Sequence, residues 1–189
     1  MNFCSNCGKP VHLLIPAGDH KQRFVCSACN TVHYENPRMI VGCLPRWRDK
    51  VLLCKRANEP ISGFWTLPAG FLENDETAEA GAMRETREEA NADVELVRMI
   101  SLYSIPIIGQ VYVFFLADLK NLNFHPGVET EITALFGRDE IPWDQLAFSS
   151  VRYTLQKYFA NEGDSSAPVF VGSYVPNSES TEEKNWAKG

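Results

Sequence analysis

Residues 70–92 read GFLENDETAEAGAMRETREEANA, and the rest of the chain is best read outward from them. The stretch sets Gly70, Glu76, Arg84, Glu85, Glu88 and Glu89 at intervals that few sequences reach by chance. On a helix of about 3.6 residues per turn, Glu85 and Glu89 are one turn apart and Glu88 lies beside them, so three carboxylates share one face. Like charges so placed cost an isolated helix roughly 0.2–0.5 kcal/mol per pair. The cluster is a small stability defect unless cations sit on it, and a hard divalent metal would turn the defect into a site. A solvated helix with its Glu residues balanced by Arg84 and Arg87 would explain the Arg-Glu-x-x-Glu-Glu fragment alone. The residues upstream argue for more. Trp65-Thr66-Leu67-Pro68-Ala69 leads into Gly70, and Asn74, Asp75 or Thr77 can open the helix. This gives a strand, a loop and a helix that aim backbone atoms at the carboxylates.

The second strong signal is at the amino terminus. Cys4-x2-Cys7 and Cys26-x2-Cys29 have the paired spacing of a four-cysteine zinc site, with Gly8 and Asn30 following the pairs where tight turns are needed. Disulfides do not suit a chain that shows no export signal, so a structural zinc ribbon is expected. Four protein ligands close the shell, and this zinc should fold the module without catalysing. Cys43 and Cys54 sit alone in apolar strands as small core residues. His12, His20 and His33 read as surface or hairpin residues.

Composition sets the class. The 189 residues are 44% hydrophobic and 22% charged, enough for one core-bearing domain plus a small module. A net charge of -6 argues against a nucleic-acid partner. The ribbon segment holds only Lys9, Lys21 and Arg23 as permanent cations, too few for a phosphate footprint. No stretch approaches the roughly 18 apolar residues a membrane span needs, and no targeting segment precedes Cys4. The expected location is the cytoplasm.

The ribbon is expected over residues 1–34, a catalytic domain over 35–171 and a mobile tail over 172–189, where the chain turns to Gly, Ser, Asn, Glu and Lys. Residues 38–47, 50–55, 64–67, 94–103 and 109–119 read as strands, with a further edge starting at Leu135-Phe136. Residues 149–159 read as an amphipathic helix with Val151, Leu155, Tyr158 and Phe159 on its apolar side. Strands with intervening helices give an α/β class with a mixed sheet between helices.

The pattern Gly-x5-Glu-x7-Arg-Glu-x-x-Glu-Glu resembles the signature of the Nudix hydrolases, with every charged position and the opening glycine present. The chain departs at Thr86, where the family has an apolar residue, at Asn91, where it has glycine, and at Ala92, where it has a larger aliphatic. Asn91 is the mildest replacement for a glycine that ends a helix. The resemblance implies the family's α/β/α sandwich, preceded here by the zinc ribbon, and a homodimer. It also implies Mg²⁺- or Mn²⁺-dependent hydrolysis of a phosphoanhydride in a small-molecule nucleotide. Carried over, Glu85, Glu88 and Glu89 with the Ala69 carbonyl hold the metal, and Arg84 and Glu76 orient them. The general base comes from the loop PGVETE, as Glu129 or Glu131. Arg56 is a candidate for phosphate, and Tyr103, Tyr112, Phe148 and Trp143 are candidates for stacking on a base. Phe114 and Phe115 read as core.

Ribbon-bearing Nudix proteins include NADH pyrophosphatases, which carry a Ser-Gln-Pro-Trp-Pro-Phe-Pro-x-Ser array after the motif. Here the corresponding residues 101–110 read SLYSIPIIGQ. The chain is more similar to plant FAD and ADP-ribose diphosphatases through Asn36-Pro37, residues 41–44 (VGCL), residues 51–56 (VLLCKR), residues 65–70 (WTLPAG), Ile105-Pro106 with Ile108-Gly109-Gln110, and residues 146–150 (LAFSS). FAD or ADP-ribose is therefore the expected substrate. NADH or nucleoside triphosphate cleavage is the alternative within the family. A zinc-ribbon regulator using the fold to bind nucleic acid or sense a ligand is the alternative of another class, and the retained carboxylates argue against it.

Overall fold

Glycine and asparagine at the two cysteine turns are the first local choices that shape the computed structural model, which describes residues 1–161 and 167–176. The N–H of Gly8 donates to the Cys4 carbonyl (2.9 Å) and that of Asn30 to the Cys26 carbonyl (2.8 Å), so both pairs form the same turn. Each turn ends in left-handed backbone, with φ 70° at Gly8 and 59° at Asn30, a conformation those two residues adopt at least cost. Strands β1 (Val11–Leu14), β2 (Arg23–Cys26, ending on the third cysteine) and β3 (Val32–His33, after the fourth) form a three-stranded antiparallel sheet. Met1–Asn36 form one compact unit, and the chain from Pro37 forms a second.

The second unit begins with β4 (Arg38–Trp47) and β5 (Lys50–Arg56), a hairpin whose strands pair only next to the turn, at Arg46–Val51 and Trp47–Lys50, and then separate. The split is filled by the chain itself. β6 (Trp65–Thr66) pairs with β5, and β7 (Ala69–Phe71) pairs with β4. Helix α1 (Ala78–Ala90) follows, then the antiparallel strands β8 (Val94–Ile105) and β9 (Gln110–Leu119), with β9 parallel to β4. β10 (Thr130–Phe136) pairs with β5, α2 spans Ser149–Ala160, and β11 (Phe170–Ser173) adds parallel to β8. The strand order is β10-β5-β4-β9-β8-β11, a mixed sheet.

Period-two alternation sorts the side chains to the two faces. Val41, Cys43, Leu52 and Cys54 pack with Ala82 and Ala90 of α1, while Ile40, Leu44, Val51 and Leu53 pack with Val151, Leu155 and Phe159 of α2. The expected α/β/α sandwich is therefore present, and Cys43, Cys54, Phe114 and Phe115 are buried in it. Thr86, polar where the family has an apolar residue, is fully buried and donates its hydroxyl to the Ala82 carbonyl one turn back (2.7 Å). That bond removes the cost of burying it.

Two boundaries differ from expectation. β10 starts at Thr130, five residues before Leu135, because it pairs along the length of β5. The tail expected from residue 172 is structured at its start: Gly172 and Ser173 belong to β11 and pair with Tyr103 and Ser104. Residues 177–189 lie outside the described residues. Among the described residues, no helix is long and apolar enough to cross a membrane.

Candidate active site

Thr77 opens α1 by accepting a hydrogen bond from the Ala80 N–H (3.2 Å), so of the three candidate caps the structure selects the third. Asn91 closes the helix in left-handed backbone (φ 48°) with its N–H on the Arg87 carbonyl. Its side chain does what glycine cannot, donating to the carbonyls of His125 and Pro126 (both 3.2 Å). The Gly127 N–H donates in turn to the Glu89 carbonyl (2.9 Å). The loop carrying Glu129 is thus tied to the end of the helix that carries Glu89.

Arg84 is the hub of the carboxylates. Its Nη2 and Nε donate to Glu76 (2.6 and 3.0 Å), and its Nη1 to Glu85 (2.7 Å) and Glu88 (3.0 Å). Nη2 also reaches the Phe71 carbonyl (3.1 Å), fastening the helix to β7. Glu76 is fully engaged, accepting from the Glu73 N–H as well, and the Arg84 guanidinium holds its carboxyl down at about 2. It remains ionised and committed to Arg84. Glu85 lies directly against Gly70, where any Cβ would overlap its carboxyl group. The motif's opening glycine thus leaves the space that the Glu85 carboxylate occupies.

Glu89 is different from its neighbours. It is 9% exposed, and its Oε2 is buried without a hydrogen-bond partner. Burial pushes its carboxyl up to about 8, and the charge of Glu85 adds to this; the Ala69 N–H and the Arg56 charge oppose it. Burial also raises the Glu85 carboxyl, against the pull of Arg84. An acid left with an open oxygen beside a second desolvated carboxylate is a donor set that a hard divalent cation fits. The two candidate bases separate as well. The charge of Glu129 raises both Glu85 and Glu89, which places it beside them. Glu131 sits at a break in the β10–β5 register and pairs with Lys55 (3.4 Å).

A cleft of about 510 Å³ opens beside this cluster, lined by Arg56, Ala69, Gly70, Phe71, Tyr112, Phe148 and Tyr174 among others. Its lining residues Ile40, Tyr112 and Val151 belong to the α2 side of the core. Ala69 and Gly70 form its wall and touch Glu89 and Glu85, so β7 joins the cleft to the carboxylates. The Arg56 guanidinium lies 5.2 Å from the Phe148 ring, and its Nε is buried without a partner. Tyr112 lies 6.5 Å from Phe148, ring to ring. Three of the five residues expected to bind substrate therefore line the cleft. Tyr103 does not: it is 1% exposed and packs on Tyr153 of α2, 5.0 Å away. Trp143 does not line it either and lies under Arg152. Phe71, with Arg38 5.3 Å over its ring, and Ile107, Ile108 and Tyr174 were not legible as lining residues. Phe71 carried a signal as the neighbour of Gly70, and Ile108 as part of the stretch shared with the related diphosphatases.

In the amino-terminal unit the four cysteine sulfurs converge within 4.8 Å of one another, with Cys4 to Cys29 at 3.6 Å and Cys7 to Cys26 at 3.5 Å. His33, expected only as a hairpin residue, also reaches the Cys4 sulfur with Nε2 (3.3 Å).

Comparison with known proteins follows this division. The family model described as Nudix N-terminal, a zinc ribbon, matches residues 2–35, and the NUDIX domain model matches residues 36–158. A crystal structure of a NUDIX hydrolase from Nitrosomonas europaea superimposes with a TM-score of 0.87 at 50% identity, covering 92% of this chain and 99% of that one. The NAD-capped RNA hydrolase NudC of Stutzerimonas stutzeri is 30% identical over 173 residues, 90% of this chain. The chain spans 60% of that relative's length. The ADP-ribose pyrophosphatase of Methanocaldococcus jannaschii is 29% identical over 119 residues, 61% of this chain and 69% of that protein.

Proposed function

The chain belongs to the Nudix hydrolases and carries their amino-terminal zinc ribbon, and from that premise we propose that it hydrolyses the diphosphate linkage of a nucleoside diphosphate derivative, ADP-ribose or FAD. The observation that carries this reading is the buried Glu89 carboxylate with one open oxygen, set beside Glu85 on the wall of a nucleotide-sized cleft. Glu85, Glu88 and Glu89, with the Ala69 carbonyl, hold Mg²⁺ or Mn²⁺. Such an ion neutralises a diphosphate and lowers the pKa of its bound water. Arg84 keeps the carboxylates from drifting apart, and Gly70 admits Glu85. Arg56 donates hydrogen bonds to a phosphate. Glu129 accepts the proton of the attacking water as its oxygen bonds to phosphorus. The bond from that phosphorus to the bridging oxygen breaks, and the oxygen leaves on the other phosphate. The products are a nucleoside monophosphate and the other phosphorylated half. The four cysteines hold a structural Zn²⁺, and the two others, Cys43 and Cys54, are buried unpaired thiols, which suits the cytoplasm.

The absence of the tryptophan- and proline-rich array from residues 101–110 supports ADP-ribose or FAD. The likeness to NudC favours a second reading, cleavage of NADH or of an NAD cap on RNA, which would also give the protein a nucleic-acid partner. The test is to incubate the protein and Mg²⁺ with FAD, ADP-ribose, NADH, NAD-capped RNA and nucleoside triphosphates, and to resolve the products by chromatography. Release of AMP from FAD or ADP-ribose at the highest kcat/KM is expected. Cleavage of the other compounds with these two untouched would overturn the substrate assignment.

A further inference from the structure

The cleft floor can be followed strand by strand. Arg56 lies on β5, Ile40 on β4, Tyr112 on β9, Ile105 on β8, and Tyr174 directly follows β11. β4, β9, β8 and β11 are consecutive neighbours in the sheet, so three interstrand steps, about 14 Å, separate β4 from β11, and Arg56 lies on the far side of the split that β6 and β7 fill. Arg56 is the only charged side chain among the described residues that line the cleft. The end towards β5 and β7 therefore carries charge, next to the carboxylates. The end towards β8 and β11 carries Ile105, Ile108 and Tyr174.

That apolar end is completed by chain beyond the matched NUDIX domain, which ends at residue 158. The seat for this chain is specific. β11 pairs with Ser101–Ser104 of β8, and the Tyr174 N–H donates to the Ser104 carbonyl (2.9 Å). A Cβ at Gly172 would come within 2.7 Å of the Tyr153 ring and 2.9 Å of Tyr103, so glycine is what lets the strand lie against these two rings. The tyrosine that sequence reading favoured for substrate is thus the floor on which β11 rests, and a different tyrosine reaches the cleft.

We propose that the carboxy-terminal strand β11 forms the nucleoside end of the substrate site, with Tyr174 stacking on the substrate's base. This rests on the nucleotide reading of the cleft and deepens it. A flat aromatic ring held at the opposite end of the cleft from the charge suits a nucleoside diphosphate derivative whose scissile diphosphate lies at β7. One aromatic–base stack is worth roughly a factor of ten in binding.

The test is steady-state kinetics on the substrate that the panel selects, together with calorimetric binding of AMP. Tyr174→Ala should raise KM about tenfold with kcat within twofold, and Tyr174→Phe, which keeps the ring, should stay near wild type. Gly172→Val, which unseats the strand without touching the cleft lining, should raise KM in the same way. Wild-type hydrolysis with an unchanged KM in Tyr174→Ala would overturn the inference and leave the proposed function standing. A wild-type protein that cleaves none of the panel but binds AMP about tenfold more tightly than Tyr174→Ala would do the reverse. A fall in kcat at constant KM in Tyr174→Ala would also overturn it, since stacking on the base is a binding contact.

Discussion

The four cysteines and the three motif glutamates are both clusters of groups whose chemistry suits a metal, and they are built on opposite principles. The cysteine sulfurs face one another within 4.8 Å at the turns of a small unit that has little else to bury. The glutamates stand on one face of a helix already packed into a large core, and Arg84 pairs with two of them, Glu85 and Glu88. The first arrangement has no open position and needs its ion in order to fold. The second leaves one carboxylate oxygen open, and its helix is packed into a core that is expected to fold without an ion. What separates a structural site from a catalytic one here is which part of the chain provides the rigidity.

The comparison breaks most visibly if the cysteine unit is independent of its ion. Cys26→Ser, or chelation of the zinc, should abolish the dispersed NMR signals of residues 1–36 while those of the unit from Pro37 persist. Retention of the amino-terminal signals would show that the ribbon is held by its hairpins alone. The converse concerns Arg84, which supports the carboxylates and is not expected to hold metal. Arg84→Ala should lower kcat/KM roughly 10–100-fold, as losses of ligand-orienting residues do. Arg84→Lys should recover little of this, because one ammonium cannot reproduce the forked contacts to three carboxylates. Full activity in Arg84→Ala would make the hub dispensable.

The smallest effect is on stability. The Glu89 carboxyl titrates at about 8 in the folded protein against an ordinary value of 4.5. The native state therefore binds the extra proton between these values, and the metal-free protein loses stability as pH rises through that window. Melting temperature without divalent metal should fall by roughly 10 °C between pH 5 and pH 8. Glu89→Gln should flatten the fall, and an identical slope in both proteins would remove Glu89 as its source.

Much of this contrast was legible in the sequence, because helix period, cap chemistry and cysteine spacing are local. The shared face of Glu85, Glu88 and Glu89, the left-handed Asn91 and the paired cysteine turns all follow from residues within one or two turns of each other. The cleft is a property of the sheet, and its residues come from strands far apart in the chain. Tyr103 and Tyr112 show the difference. They are register partners on adjacent strands and have similar sequence surroundings. Tyr103 is covered by Tyr153 and by the chain at Gly172, whereas Tyr112 faces the cleft. Periodicity assigns a residue to a face of a sheet, and only the tertiary fold decides whether that face is covered. The same reasoning accounts for β11, a short strand whose partner lies about 70 residues upstream.

The central claim is that Glu89 completes an open divalent-metal site. A Mn²⁺ titration followed by electron paramagnetic resonance, comparing the wild type with Glu89→Gln, tests it most directly. The account predicts a bound Mn²⁺ in the wild type and an affinity lower by more than the roughly 10–100-fold typical of supporting residues in the variant, with both proteins folded. Equal Mn²⁺ affinity in the two proteins would contradict it.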